Sequence, residues 1–122
     1  MDAALANGHT VTLFNRGKTN PDLYPEVEKI RGDRTSLDDL MILQDRHWDA
    51  VIDTCGYYPN IVQLSAKTMK DYVERYVFIS SISVYAEPPT DHHIDEKTSV
   101  AHLTSDNLEA YAKESYGNRK AL

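Results

Sequence analysis

Tyr116 and Lys120 lie four positions apart near the end of the sequence. On a helix that spacing puts both side chains on one face. An ammonium group beside a phenol favours the phenolate and lowers the phenol pKa. Such a phenol can exchange a proton with a substrate hydroxyl near neutral pH, which is general acid–base chemistry. A serine hydroxyl at a nearby strand end could hydrogen-bond the same substrate oxygen, and Ser81 closes an apolar run suited to a strand. Taken alone, a Tyr–Lys pair at this spacing is more commonly a contact on a helix surface. Its chemical meaning depends on the elements that hold it.

The chain has 122 residues, enough for one domain with one modest core. With 41% hydrophobic and 26% charged residues, its composition is that of a globular protein and not of a disordered one. The net charge is −6 with both signs interspersed. That argues against nucleic acid as a partner, because neutralising phosphates needs a clustered positive face. Small anionic ligands need only one or two local cations and stay open. A single cysteine, Cys55, excludes an internal disulfide and fits a reducing compartment. No stretch approaches the about eighteen apolar residues of a membrane span, and the first residues lack the basic-then-apolar order of a signal peptide. The expectation is a cytoplasmic protein with no membrane partner.

Residues 2–7 are helix formers, and Asn7-Gly8 supplies a helix stop. The β-branched and aromatic run from Thr10 to Phe14 predicts a strand, with a turn at Asn15-Arg16-Gly17-Lys18. A second short strand is expected from Val27 to Ile30. Ser36 is placed to cap a helix from Leu37 to about Arg46, with Asp38 and Asp39 in its first turn. Ala50 to Thr54 reads as a third strand, and Pro59 opens a helix in which Ile61, Leu64, Thr68, Met69 and Tyr72 recur at roughly helical spacing. Tyr76 to Ile79 is an almost unbroken apolar run, as expected of a strand covered on both faces. A long polar loop over 86–105 follows, and Ser105 or Asp106 could cap a last helix. Strands alternating with helices imply a parallel sheet with helical crossovers, in which ligands bind beyond the carboxyl ends of the strands. The residues expected there are Asn15-Arg16, Asp33, Thr54-Cys55-Gly56 and Ser80-Ser81, all small, polar or charged.

The stretch Tyr76-Val-Phe-Ile-Ser-Ser-Ile-Ser-Val-Tyr85, followed by Tyr116-Gly-Asn-Arg-Lys120, resembles the extended short-chain dehydrogenase/reductase family, the NAD-dependent epimerase/dehydratases. In that family a strand ending in Ser-Ser-x-x-Val-Tyr precedes a helix bearing Tyr-x-x-x-Lys. The resemblance implies that Ser81 is the catalytic serine and Tyr116 the acid/base. Lys120 would bind the nicotinamide ribose and lower the tyrosine pKa, and Ser83 is a lesser candidate for substrate contact. The interval between Ser81 and Tyr116 is longer than usual in the family, which implies an insertion. Asp33, followed by Arg34, looks like the strand-ending Asp that hydrogen-bonds the adenine amino group. Thr54-Cys55-Gly56 would occupy the small-residue turn where the backbone approaches the cofactor, which makes Cys55 a small buried residue and not a nucleophile. Where NAD-specific relatives place an acid for the adenosine ribose, this chain has Asn15-Arg16 with Lys18 nearby. An arginine there can accommodate a 2′-phosphate, so NADP is favoured over NAD. The alternative for Arg16 is a solvated residue in a polar turn.

The family also begins with a strand and a Gly-x-x-Gly-x-x-Gly loop that cradles the pyrophosphate at a helix N-terminus, and this sequence has no such loop. The expected fold is therefore α/β, a partial Rossmann-type doubly wound parallel sheet truncated at both ends, with residues 1–122 as one partial NAD(P)-binding domain. The missing strand would lie between those at 10–15 and 50–54. The implied function is that of a partial NAD(P)-dependent epimerase/dehydratase-type oxidoreductase, inactive alone, whose substrate resembles a nucleotide sugar and whose longer parent could be a homodimer. The alternative is a non-catalytic Rossmann-fold paralogue that binds RNA or protein. Two further motifs carry less: Arg31-Gly32-Asp33 reads better as a strand end than as an adhesion tripeptide, and Asp91-His92-His93-Ile94-Asp95-Glu96 has no partner cluster to complete a metal site.

Overall fold

Residues 1–85, 94–100 and 120–121 are described by the structure, a computed structural model. Contacts divide the chain into two units, Met1–Arg46 and His47–Leu122.

The first unit opens with helix α1 (Asp2–Ala6). Its end is built by Asn7 and Gly8: the Asn7 side chain donates to the Ala3 carbonyl at 2.7 Å, and Gly8 takes a left-handed φ of 77°. Strand β1 (Thr12–Asn15) pairs in parallel with β2 (Glu28–Arg31), in the register Thr12↔Glu28 to Asn15↔Arg31. Parallel strands cannot be joined by a tight turn, and here the connection is a loop with no helix. Its path requires left-handed residues at Gly17, Asn20 and Tyr24. Lys29 holds it to the strands by donating to the Pro21 carbonyl at 2.9 Å.

Ser36 caps α2 (Leu37–Met41) as its sequence position predicts, its hydroxyl accepting from the Asp39 amide at 3.3 Å. The helix is shorter than expected, because from Ile42 to Asp45 the chain tightens into a 3-10 turn. Leu40 and Leu43 from this segment are buried with Val27 as the core of the unit. Gly32 is required at the end of β2: a Cβ there would come within 2.5 Å of the Phe14 ring.

In the second unit β3 (Trp48–Asp53) and β4 (Val73–Phe78) form another parallel pair, with Ile52↔Val77 and Asp53↔Phe78 in register. Helix α3 (Pro59–Met69) makes the crossover, with Pro59 at its start where no N–H is needed. Its buried residues are Met69, 1% exposed, and Ser65. Strand β4 starts at Val73, three residues before the apolar run, because Glu74 and Arg75 are accommodated at exposed positions.

The expectation that β4 is covered on both faces is not met. Side chains alternate along a strand, so Tyr76 and Phe78 turn towards α3 while Val77 and Ile79 point away. Val77 is 36% exposed, Ile79 47%, and Ile52, beside Val77, 65%. Among the described residues of this unit, no element covers that second face. The architecture is thus mixed α/β, with two parallel strand pairs in two separate sheets.

Burial predicts unequal responses to substitution. Met69→Ala should lower the unfolding free energy by about 2–5 kcal/mol. Ile52→Thr, β-branched and on the exposed face, should change it by no more than about 0.5 kcal/mol. Urea denaturation of both variants checks this. An equal loss in the two would mean that the outer face of β3 and β4 is covered in solution.

Candidate functional site

The residues expected to carry chemistry lie where the strands end, and each unit presents its own group. In the first unit Asn15 closes β1, and its side-chain oxygen is already engaged: it accepts from the Gly17 amide at 2.8 Å and from Arg31 Nη1 at 2.7 Å. Asn15 therefore shapes the turn, leaving the next residue to face solvent. Arg16 does so, 60% exposed, with its guanidinium 3.8 Å from the Asp33 carboxylate at the end of β2.

Asp33 is fixed by its own turn, its Oδ1 accepting from the Thr35 amide at 2.9 Å and the Thr35 hydroxyl at 2.8 Å. The Thr35 amide, then the hydroxyl, and then the charges of Arg16 and Lys18 hold the Asp33 carboxyl below its usual range. It is an ionised acceptor at neutral pH, flanked by two cations. Arg34, beside it, is half-buried.

Arg31 was not a candidate from sequence. Its guanidinium covers Gly17, where a Cβ would collide with it, and it lies on the same sheet face as Asn15. The signal was present in the strand register, which pairs Asn15 with Arg31, but the register is not readable before the pairing is known. Beside this pair a cavity of about 220 Å³ is lined by Leu13, Leu23, Tyr24 and Lys29 among others.

In the second unit the turn after β3 is organised by Asp53, which is 7% exposed. One carboxylate oxygen accepts from the Cys55 amide at 3.2 Å, and the other from the Tyr76 hydroxyl at 2.7 Å. Cys55 was expected to be buried, but it is exposed and in no disulfide, because Asp53 draws its N–H inward and turns the side chain outward. Gly56 is buried, and a Cβ on it would strike Val62 of α3 and the Phe78 ring. The glycine is needed for strand–helix packing within the unit, in addition to any approach of a ligand to the turn. Thr54 is exposed.

At the end of β4, Ser81 caps the short 3-10 turn Ile82–Val84, its Oγ accepting from the Ser83 amide at 3.2 Å. The Ser81 hydroxyl proton has no acceptor among the described residues, so it can be donated to a ligand oxygen. Ser83 itself is exposed. Lys120 comes to the same place: it is 7% exposed, and its Nζ donates to the Ile79 carbonyl at 3.1 Å. That ammonium lies 4.4 Å from the centre of the Phe78 ring and 5.7 Å from that of Tyr57. The Ser80 hydroxyl donates to the Lys120 carbonyl at 3.5 Å. Tyr116, Asp91, His92 and His93 lie outside the described residues.

Among the described residues, no group of three or more His, Cys, Asp or Glu could hold a metal ion, and no helix is long and apolar enough to cross a membrane. No family model, curated protein or solved structure matches this chain.

Among the described residues, two carboxyls held below their usual range contribute to the acid limb of stability. Asp33 is one; Glu28 is the other, lowered chiefly by hydrogen bonds from Arg46 and then from Thr12. A carboxyl with a folded-state pKa below its unfolded value stabilises the fold above the ordinary carboxylate range. That contribution is lost as pH falls through this range towards the folded-state value. Thermal midpoints from neutral pH down to about pH 3 should therefore fall less steeply in Asp33→Asn and Glu28→Gln than in the wild type. Parallel curves would show that neither group is coupled to folding.

Proposed function

We propose that this chain carries adenosine-recognising and catalytic residues of an NAD(P)-dependent oxidoreductase of the extended short-chain dehydrogenase/reductase kind. The reading includes a Rossmann-type doubly wound sheet and an epimerase/dehydratase-type reaction on a substrate resembling a nucleotide sugar. The observation that carries it is Lys120: a residue 40 positions from Ser80 is buried with its ammonium on the Ile79 carbonyl, just past the end of β4 and two residues before Ser81. A Tyr-x-x-x-Lys helix that works with a strand-end serine requires that proximity.

The residues at the ends of β1 and β2 fit the adenosine part of NADP. Arg16 offers an exposed guanidinium to a 2′-phosphate, with Lys18 close enough to act on the Asp33 charge. Asp33 offers an ionised oxygen to an exocyclic amine. Nothing comparable fits the pyrophosphate, since the five glycines of the sequence form no glycine-rich loop. A bound nicotinamide would supply hydride transfer to or from the carbon that bears the substrate oxygen. Tyr116, as phenolate, takes the hydroxyl proton from that oxygen. Lys120 stabilises the phenolate by its charge, and Ser81 donates its hydroxyl proton to the same substrate oxygen.

A second reading, a non-catalytic binding protein on the same fold, draws on one observation: the Lys120 ammonium is already engaged by a main-chain carbonyl. Turnover separates the two. With a glycine-rich strand-turn-helix supplied ahead of residue 1, NADPH formation across nucleotide sugars should fall about 100- to 10,000-fold in Tyr116→Phe. Unchanged turnover would refute the acid/base role, and no turnover with any substrate would favour the second reading.

For the chain as it stands, calorimetry should show no micromolar binding of NADP. Millimolar adenosine 2′,5′-bisphosphate should nonetheless shift the amide resonances of Arg16 and Asp33, and Arg16→Ala should weaken that binding about tenfold. Equal shifts with adenosine 5′-phosphate would sink the preference for NADP.

A further inference from the structure

Asp53 and Ser65 are buried, Tyr76 between them is half-buried, and the three polar groups form one connected line. Asp53 is 7% exposed and Ser65 6%. The Tyr76 hydroxyl lies 2.7 Å from Asp53 Oδ2 and 2.9 Å from Ser65 Oγ. The proton inventory fixes the direction of this line. A carboxylate only accepts, so the single phenolic proton goes to Asp53. The Tyr76 oxygen can then only accept from Ser65. The one Ser65 proton is shared between that oxygen and the carbonyls of Ile61 at 3.2 Å and Val62 at 3.1 Å, which ties the Tyr76 hydroxyl to the body of α3. At the other end, Asp53 Oδ1 accepts from the Cys55 amide.

The arrangement is costly if packing is its only role. A carboxylate taken out of water loses more solvation than an apolar side chain of similar size, and burying it stabilises a fold only with every partner in place. Phe78, two residues along the same strand and on the same face, is a ring with no hydroxyl. What the hydroxyl and carboxylate add is orientation. A satisfied polar network permits one arrangement where an apolar contact permits several. The group oriented is the main chain of the turn that leaves β3.

We propose that Ser65, Tyr76 and Asp53 form a positioning relay, running from α3 through β4 to the Cys55 amide, that holds the Thr54–Cys55–Gly56 turn in one conformation. The turn is the surface against which the dinucleotide lies, an identification that rests on the proposed function. Tyr76 and Asp53 touch no substrate in this scheme and act through the main chain. The relay couples the exposed Cys55 thiol to a hydroxyl on the next strand.

The sole cysteine makes the full-length chain its own reporter. The rate of Cys55 modification by dithionitrobenzoate and the hydrogen exchange of the Cys55 amide are measured in the wild type, Tyr76→Phe and Ser65→Ala, each first shown to be folded by urea denaturation. In Tyr76→Phe the modification rate should change at least about threefold and the amide exchange should quicken about tenfold. Ser65→Ala should move both in the same direction by less. A purely structural role predicts lower stability with Cys55 unaltered in both assays, and that result would overturn the relay. If Tyr76→Phe does not fold, Ser65→Ala decides on the same two readouts.

Protection of Cys55 by millimolar NADP tests the identity of the ligand separately. Protection in the wild type that is lost in Tyr76→Phe supports both proposals. No protection in the wild type removes the cofactor from this turn, while the relay still stands or falls on the two rates.

Discussion

Parallel pairing is the constraint on which the rest of this structure depends. Two parallel strands leave their carboxyl ends on one edge and cannot be joined by a short turn, so each pair needs a long crossover lying over one face. In the second unit the crossover is α3, and it covers the face that bears Tyr76, Phe78 and Asp53. In the first it is an irregular loop, tied to β2 by Lys29 through the Pro21 carbonyl and turned by residues of positive φ. The same constraint collects the chemically useful groups. Arg16 and Asp33 follow β1 and β2, Cys55 and Ser81 follow β3 and β4, and none was carried there by a special device.

A strand has two faces, and one crossover covers only one. The fully buried positions are accordingly few, with Leu40 and Met69 as the deepest. Ile52, Val77 and Ile79 form an apolar outer face on β3 and β4 whose exposure follows directly from the two-residue period of the strand. On the inner face the sequence spends polar groups where apolar ones would pack. Asp53 and Tyr76 occupy space that a leucine and a phenylalanine could fill, and the return is a defined main-chain path beyond the strand.

What the sequence shows and hides follows from the range of the interactions. Elements fixed by local chemistry are legible: the Asn7-Gly8 stop, the Ser36 cap with Asp38 and Asp39 behind it, Pro59 at the head of α3 and the β-branched runs all fold as their residues dictate. Where a neighbour in space decides, sequence reasoning fails. The unbroken apolar run at Tyr76–Ile79 looks like a strand buried on both faces, but hydropathy cannot report whether a covering layer exists. Cys55 looks like a core residue by type, and a carboxylate two positions earlier turns it outward. Arg31 reaches Asn15 only through strand register. Gly56 looks permissive for a ligand, and its closest demand comes from Val62 and Phe78.

The position of Lys120 bears on how a catalytic lysine can act. Its ammonium rests on the Ile79 carbonyl and against the Phe78 ring, an arrangement that reads at first as structural. A hydrogen bond to a carbonyl leaves the charge in place, however, and an ammonium has three protons to donate. A cation pinned at a strand end in a poorly solvated setting stabilises negative charge developing within about 4–6 Å without touching it. Pinning also removes the conformational freedom that a long, flexible side chain would otherwise lose when it is ordered. The carbonyl contact and the lowering of a phenol pKa are therefore compatible demands on one group. The burial that makes Lys120 look like part of the core is also what would make its charge effective.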